Sequence, residues 1–374
     1  MSNYLYFDSA ATAPPCKEAL SAVAHAYEEY GNPSSLHAAG LAAKAQTDRA
    51  REQLAKALRC APEELIFTGS GTEANNQAIF GLAALREKRS KKVITTDSEH
   101  PSVEECMKVL ETRGFRVVRL STKGGVLDLE RLKSELSDPV AFLSIMRANN
   151  ETGAVYDIGA VRKLMTAAGC DAPLHCDNVQ GFLKIPFDKP TSVCDLLTVS
   201  GHKIGGVKGV GALYIRKGIR VLPYLYGGGQ ENGLRSGTEN VAAIAAFGAA
   251  AETKSADRER LAYIASLRDT TERALTDAGI VCHIPPERLP NILHVHIPGV
   301  PGSWALNALS AKGICVSQGS ACSARKKGSR VLEAYGLSED AILSSLRISF
   351  TEYNTEEECA ALCEALAEAA KMKR

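Results

Sequence analysis

Short apolar runs alternate with helix-like stretches through the first two thirds of this chain, and that alternation constrains the fold most. The strand-like runs are "ELIFTG" (64–69), "KVITTD" (92–97), "FRVVRL" (115–120), "VAFLSIM" (140–146), "PLHCDN" (173–178), "CDLLTVS" (194–200) and "VGALYI" (210–215). Most are followed by enough residues for a helix. In "TEANNQAIFGLAALREK" (72–88), Ile79, Leu82 and Leu85 recur at helical spacing. Strands that alternate with helices predict an α/β fold with a mostly parallel, seven-stranded sheet covered on both faces. After a helical region at 238–275 the pattern changes. "IVCHI", "NILHVHI", "GICVSQ" and "SLRISF" read as shorter strands mixed with helices, and the last element, 355–372, opens with Thr355 and Glu358 at capping-box spacing. We expect a large domain at 15–255 and a smaller α/β domain made of 256–374 together with 1–14.

Composition excludes several classes. A formal charge of +1 over 374 residues argues against direct nucleic-acid binding through a basic field. "MSNYLYFDSAATAPP" has no basic start followed by an apolar core, so no signal peptide is expected. "NVAAIAAFGAAA" (240–251) is too short to span a bilayer and reads as a buried helix, so no membrane association is expected. The 11 cysteines are an odd number without a C-x-x-C pair. They fit small buried hydrophobes in a cytoplasmic protein better than a disulfide framework. "HVH" (294–296) puts two imidazoles on one side of a strand without a third ligand at suitable spacing, and "CAALC" (359–363) is spaced like one helix face. No metal site is expected.

Three stretches carry chemistry. "LTVSGHKIGGVKGVG" (197–211) ends an apolar strand in Ser-Gly-His-Lys and a glycine-rich turn. A lysine beyond a strand's carboxyl end is where an α/β sheet binds ligands, and it could form a Schiff base. An ordinary surface lysine is the alternative. "LHCDNVQG" (174–181) puts Asp177 and Gln180 at the end of another buried strand. A buried aspartate needs a cationic partner, such as the protonated ring nitrogen of pyridoxal phosphate (PLP). "TGSGTEANN" (68–76) is a strand, a turn and a helix start whose free amides, at Gly71 and beside Thr72, could hold a phosphate. It could equally be a simple capping turn. A fourth stretch, "SQGSACSA" (317–324), sets Cys322 among small residues just before "RKKGSR". Gly319 and Gly328 bracket it and permit backbone excursions, so a mobile loop is expected. Arg325, Lys326, Lys327 and Arg330 lie nearby with no acidic residue between Gly319 and Arg330, a field that favours a thiolate.

Together these segments resemble fold-type I PLP enzymes, and with Cys322 they resemble cysteine desulfurases of the NifS/IscS kind, relatives of class V aminotransferases. The likeness runs nearly end to end through "YFDSAATAP", "YGNPSSLHAAG", "FTGSGTEANN", "SEHPSV", "ANNETGAV", "CDNVQ", "SGHKIGGVKGVGALY", "GGGQENGLRSGTEN", "SQGSACSA" and "LRISF".

The resemblance implies roles for individual residues. Lys203 would hold PLP covalently, Asp177 would pair with the ring nitrogen, and Gln180 would hydrogen-bond the ring oxygen. His100 would stack on the ring and help move protons. Gly71, Thr72, Ser200 and His202 would hold the phosphate. Thr238 would reach the phosphate of a neighbouring subunit, which implies a homodimer with shared sites. Asn150 and Arg347 would bind the carboxylate of L-cysteine. Cys322 would take the sulfur as a persulfide, leaving L-alanine, and pass it to an acceptor protein for tRNA thiolation or iron–sulfur cluster assembly.

Two departures bear on that acceptor. "SARKKGS" is shorter and more basic than the family pattern, and the chain stops at "KMKR", without the further tail expected of members that feed iron–sulfur scaffolds. These favour a dedicated donor to an acidic or RNA-bound partner. A selenocysteine lyase, a class V aminotransferase and a non-catalytic sulfur-relay scaffold are the alternative readings. An aminotransferase has no need of Cys322, and intact Lys203, Asp177 and Arg347 argue against the scaffold.

Overall fold

The computed structural model describes residues 4–186, 190–257, 259–319 and 328–372. Its strands are β1 (Leu5–Tyr6), β2 (Leu65–Thr68), β3 (Lys92–Thr96), β4 (Arg116–Leu120), β5 (Phe142–Ser144), β6 (Leu174–Asp177), β7 (Leu196–Ser200), β8 (Gly211–Ile215), β9 (Val281–His283), β10 (Ile292–His296), β11 (Ile314–Cys315) and β12 (Ser345–Ser349). Each of the seven strand-like runs forms a strand, trimmed at its ends.

Those seven strands make one sheet in the order β2-β8-β7-β6-β5-β3-β4. Only β8 runs against its neighbours, pairing antiparallel with β2 and β7. Adjacent residues enter cores on opposite faces. Val93, Phe142 and Leu196 pack with Ile79 and Leu82 of the helix Gly71–Arg86. Ile94, Leu143 and Leu197 pack on the other side with Leu54 and Phe247. Period-two alternation inside continuous apolar runs is the mark of a sheet buried on both faces.

The helical region predicted at 238–275 is two helices, Val241–Ala256 and Glu259–Asp277. The first is buried almost all round, as expected of its alanine-rich sequence. A Cβ at its Gly248 would lie 2.6 Å from the Ala50 Cα, so only glycine allows the helix 38–58 this close.

The later strands form an antiparallel sheet, β12-β10-β9, and a parallel pair, β1-β11. "GICVSQ" contributes only the two residues of β11. A separate apolar cluster joins Leu293, Val295, Leu346 and Ile348 to Phe7 and Phe350. The two phenyl rings meet edge to face at 5.6 Å. The first described residues therefore pack with the last strands.

Candidate active site

A cleft with about 900 Å³ of free space, open to solvent, lies at the carboxyl ends of β6 and β7 and the start of the helix Gly71–Arg86. It collects Gly71, Thr72, His100, Asn150, Asp177, Gln180, Ser200, His202, Lys203 and Arg347. Two predicted residues are not among them. Thr238 lines a different cavity with Thr68 and Arg235. Cys322 lies outside the described residues, as do Arg325, Lys326 and Lys327.

One end of the cleft is a helix N-terminus. Ser70 caps the helix by accepting from the Glu73 amide at 3.1 Å. A Cβ on Gly71 would sit 2.9 Å from Val179 Cγ2 and 3.5 Å from Ser200 Cβ, so glycine lets the first turn rest on the ends of β6 and β7. The positive end of the helix then faces the cleft, where it favours an anion. His202 stands nearby, 3.2 Å from Thr12 Oγ1. Burial, with help from Lys203, pushes its imidazole down to about 4.

Lys203 ends a single turn, Gly201–Lys203, that follows β7 directly. Its Nζ donates to the carbonyls of Ala10 and Ala11 at 2.7 and 2.8 Å. Asp177, 5% exposed, meets neutral donors: Asn75 Nδ2 at 2.7 Å and the Val179 amide at 2.9 Å. Among the described residues no lysine or arginine forms an ion pair with it.

The same Asn75 amide group donates to Ser102 Oγ at 2.8 Å, and that hydroxyl lies 2.8 Å from His100 Nδ1. His100 Nδ1 also accepts the Ser102 amide at 3.1 Å. With Nδ1 an acceptor, the neutral ring carries its proton on Nε2. Burial pushes this imidazole below its usual value; Asp177 opposes the shift and Lys203 adds to it.

Arg347, on β12, is 1% exposed. It donates to Asp8 Oδ1 at 2.7 Å and to the Asn150 carbonyl at 2.9 Å, while its Nε is buried without a partner. The expected roles of Asn150 and Arg347 therefore meet, but through the Asn150 main chain. The backbone of Arg347 also pairs with Ser317 in both directions, at 2.7 and 3.1 Å.

Several contributors escaped the sequence analysis. Asn75 sits three residues beyond Thr72 on the same helix face, a spacing that could have flagged it. Ser102 lies in the first turn of the helix Pro101–Thr112, which His100 caps. Asp8, Ala10 and Thr12 come from a stretch with no periodicity, and only their partners reveal them. Away from the cleft, His283 Nε2 lies 2.8 Å from His296 Nδ1. Among the described residues no group of three or more His, Cys, Asp or Glu side chains could hold a metal ion.

Arg330, expected to add its charge near Cys322, is held by partners from another part of the chain. Its guanidinium donates to the carbonyls of Asp97 and Glu99 and lies 3.9 Å from Glu104. The preceding Ser329 donates to Glu151 Oε2 at 2.6 Å. Gly319 and Gly328, on either side of the undescribed segment, both have positive φ, 69° and 92°.

The residues fit PLP. A buried carboxylate without a cation suits a protonated ring nitrogen, and the buried Asn75 Oδ1, without a partner, lines the same cleft. An amine held on backbone carbonyls suits covalent attachment, and a helix N-terminus suits a phosphate.

Known proteins agree. The Aminotransferase class-V family model matches residues 5–362. A cysteine desulfurase of Trichormus azollae is 41% identical over 359 residues, spanning 94% of this chain and 89% of its own. The solved structure of a NifS-like protein superposes with a TM-score of 0.92 at 36% identity, covering 98% of both chains. A structure described as SspA in complex with cysteine superposes with a TM-score of 0.83 at 32% identity, covering 94% of this chain and 99% of that one.

Proposed function

The chain belongs to the class-V aminotransferase family, with cysteine desulfurases among its relatives, and from that premise we propose how its residues convert L-cysteine to L-alanine and a persulfide. PLP, when bound, supplies an electron sink that makes the substrate Cα–H acidic. Lys203 would anchor the cofactor, and its Nζ could hold the substrate's Cα proton. Asp177 would pair with the ring nitrogen, Gln180 would hydrogen-bond the ring oxygen, and His100 would stack on the ring and help move protons. Gly71, Thr72, Ser200 and His202 would hold the phosphate. Arg347, steadied by Asn150, takes the substrate carboxylate with its planar fork. The Cys322 thiolate attacks the substrate sulfur, forming an S–S bond as the C–S bond breaks. The electron pair stays on carbon, and a proton completes the methyl group of alanine.

The observation that carries this reading is Asp177, buried in the cleft that Lys203 also lines and, among the described residues, met only by neutral donors. The test is to incubate the protein with L-cysteine and assay alanine and protein-bound persulfide together. Wild type should yield both. Cys322→Ser should bind PLP and L-cysteine but form no persulfide. Labile sulfur on another cysteine of the wild type would defeat the assignment of Cys322, and 3-mercaptopyruvate in place of alanine would favour transamination.

A homodimer completes the site in this reading. Thr238 faces a cavity of its own, suited to a neighbour's phosphate, and Tyr27, Tyr30, Leu36 and Tyr226 expose apolar surface that a partner would cover. Among the described residues no helix is long and apolar enough to cross a membrane, and the balanced charge and unpaired cysteines suit the cytoplasm. Arg325, Lys326 and Lys327 remain as the cations that would draw an acidic or RNA-bound acceptor, such as a tRNA-thiolating enzyme.

A further inference from the structure

Lys184 is buried, 9% exposed, one turn beyond Gln180. Its Nζ donates to Gln180 Oε1 at 3.1 Å. Among the described residues no carboxylate forms an ion pair with it, and the charges that bear on it are the cations Lys203, Arg260 and Arg347. Burial, with those cations, pushes its amine down to about 7. An apolar residue would fill this space at lower cost, since an ammonium loses hydration here and gains no counter-charge. The hydrogen bond to Gln180 is what an apolar residue could not supply.

That bond fixes an orientation. Gln180 Nε2 donates to the Ala10 carbonyl at 2.9 Å. A side-chain amide has an acceptor end and a donor end of nearly equal shape, so its neighbours decide which way it faces. Here one neighbour is a carbonyl that only accepts, and the other an amine that has hydrogens to donate. The flipped amide would set NH₂ against the amine and oxygen against the carbonyl. In this orientation Nε2 keeps a second N–H beyond the one given to Ala10, and Gln180 lines the cleft.

We propose that Lys184 is a positioning residue: it locks the Gln180 amide so that an N–H, and not a carbonyl, meets the ring oxygen of PLP. The inference rests on the reading that Gln180 binds that oxygen. Nothing in it requires Lys184 to touch cofactor or substrate.

A double-mutant cycle tests it, with PLP affinity of the apoprotein and the pH midpoint of the bound cofactor's visible band as readouts. Gln180→Ala should weaken PLP binding about 3- to 10-fold, the loss of one hydrogen bond, and move the midpoint. Lys184→Met should do the same, while its apoprotein melts no lower than wild type. The double variant should be no weaker than Gln180→Ala alone, because both changes remove one interaction. Lys184→Gln, whose amide can still donate to Gln180, should stay near wild type, and it carries the test if Lys184→Met fails to fold. A double variant weakened by the product of the two single losses overturns the proposal and leaves the Gln180 reading intact. So does a Lys184→Gln protein as weak as Gln180→Ala. Unchanged affinity and spectrum in Gln180→Ala overturn that reading and the proposal together.

Discussion

Asp177 on β6 and Arg347 on β12 are buried charges in one cleft, 5% and 1% exposed, yet among the described residues only Arg347 has an ion-pair partner. Asp177 is met by an amide side chain and a backbone amide, so in the proposed reading its counter-charge arrives with the cofactor. Arg347 is already paired with Asp8 at 2.7 Å, so in that reading a substrate carboxylate uses the unpartnered Nε or displaces Asp8. One wall of the cleft would then wait for its counter-ion, whereas the other would exchange one. The difference separates what binding costs from what folding costs. Removing a charge that has no partner leaves nothing stranded, but removing one member of a buried pair leaves the other uncompensated, typically by about 3–5 kcal/mol.

Four measurements press on this contrast. The largest effect is expected from Asp177→Asn. Catalytic efficiency should fall about 100- to 1000-fold, the usual scale for losing one preorganised electrostatic contact. Yet the apoprotein's melting temperature should hold or rise, since no cation is stranded. A marked loss of apoprotein stability would mean that Asp177 has a counter-charge after all.

Arg347→Ala should raise KM about 10- to 150-fold, the equivalent of a charge-assisted contact worth about 1.5–3 kcal/mol. Unlike Asp177→Asn, it should also lower the apoprotein's melting temperature, because the Asn150 carbonyl and Asp8 lose their donor. An unchanged KM would place the carboxylate elsewhere.

Asp8→Asn tests exchange directly. With its competitor gone, Arg347 should bind substrate more tightly, with KM about 2- to 10-fold lower, in a less stable apoprotein. A raised KM would show that Asp8 orients the fork and does not compete for it.

The smallest effect concerns acid. Burial holds His175 in the first sheet and His283 in the second at about 4. Both native values lie below the ordinary 6.5, so the unfolded chain binds more protons between those limits. Their contribution is present above pH 6.5 and is lost as pH falls toward 4. The melting temperature should decline over that window, less steeply in His175→Asn or His283→Asn, and by comparable amounts if the two sheets unfold as one. A slope that only one variant flattens would mean that they do not.

The sequence discloses the parts of this site that local rules produce. Lys203 and Asp177 stand at the ends of continuous apolar runs, and Thr72 stands at a helix start, so strand length and capping reveal them. Arg347 was named from the family likeness around "LRISF". The polar partners that set their behaviour obey no such rule. Asp8 reaches Arg347 across 339 positions, and Asn75 reaches Asp177 across 102. Arg330 looked like part of a charged run because sequence shows its charge, while the Asp97 and Glu99 carbonyls that occupy it are distant backbone atoms. Periodicity carries information about a residue's own element and none about which carbonyl from another element will face it.

The stretch from Phe7 to Ala13 touches nearly every working part. Asp8 holds Arg347, Ala10 and Ala11 accept from Lys203, Ala10 also accepts from Gln180, and Thr12 meets His202. It is fastened in turn by Ser9 Oγ on the Phe350 carbonyl at 2.8 Å and by the Ala10 amide on Ser349 Oγ at 2.9 Å, contacts 341 and 339 residues apart. Pairings that distant form late, because closing long loops is entropically uphill until other contacts are in place. During synthesis the strands between residues 65 and 215 can pair while the first-made stretch still lacks its anchor. A nascent chain thus carries Lys203 and Asp177 in a cleft missing one side until β12 has left the ribosome. The residues translated first are among the last to find their places.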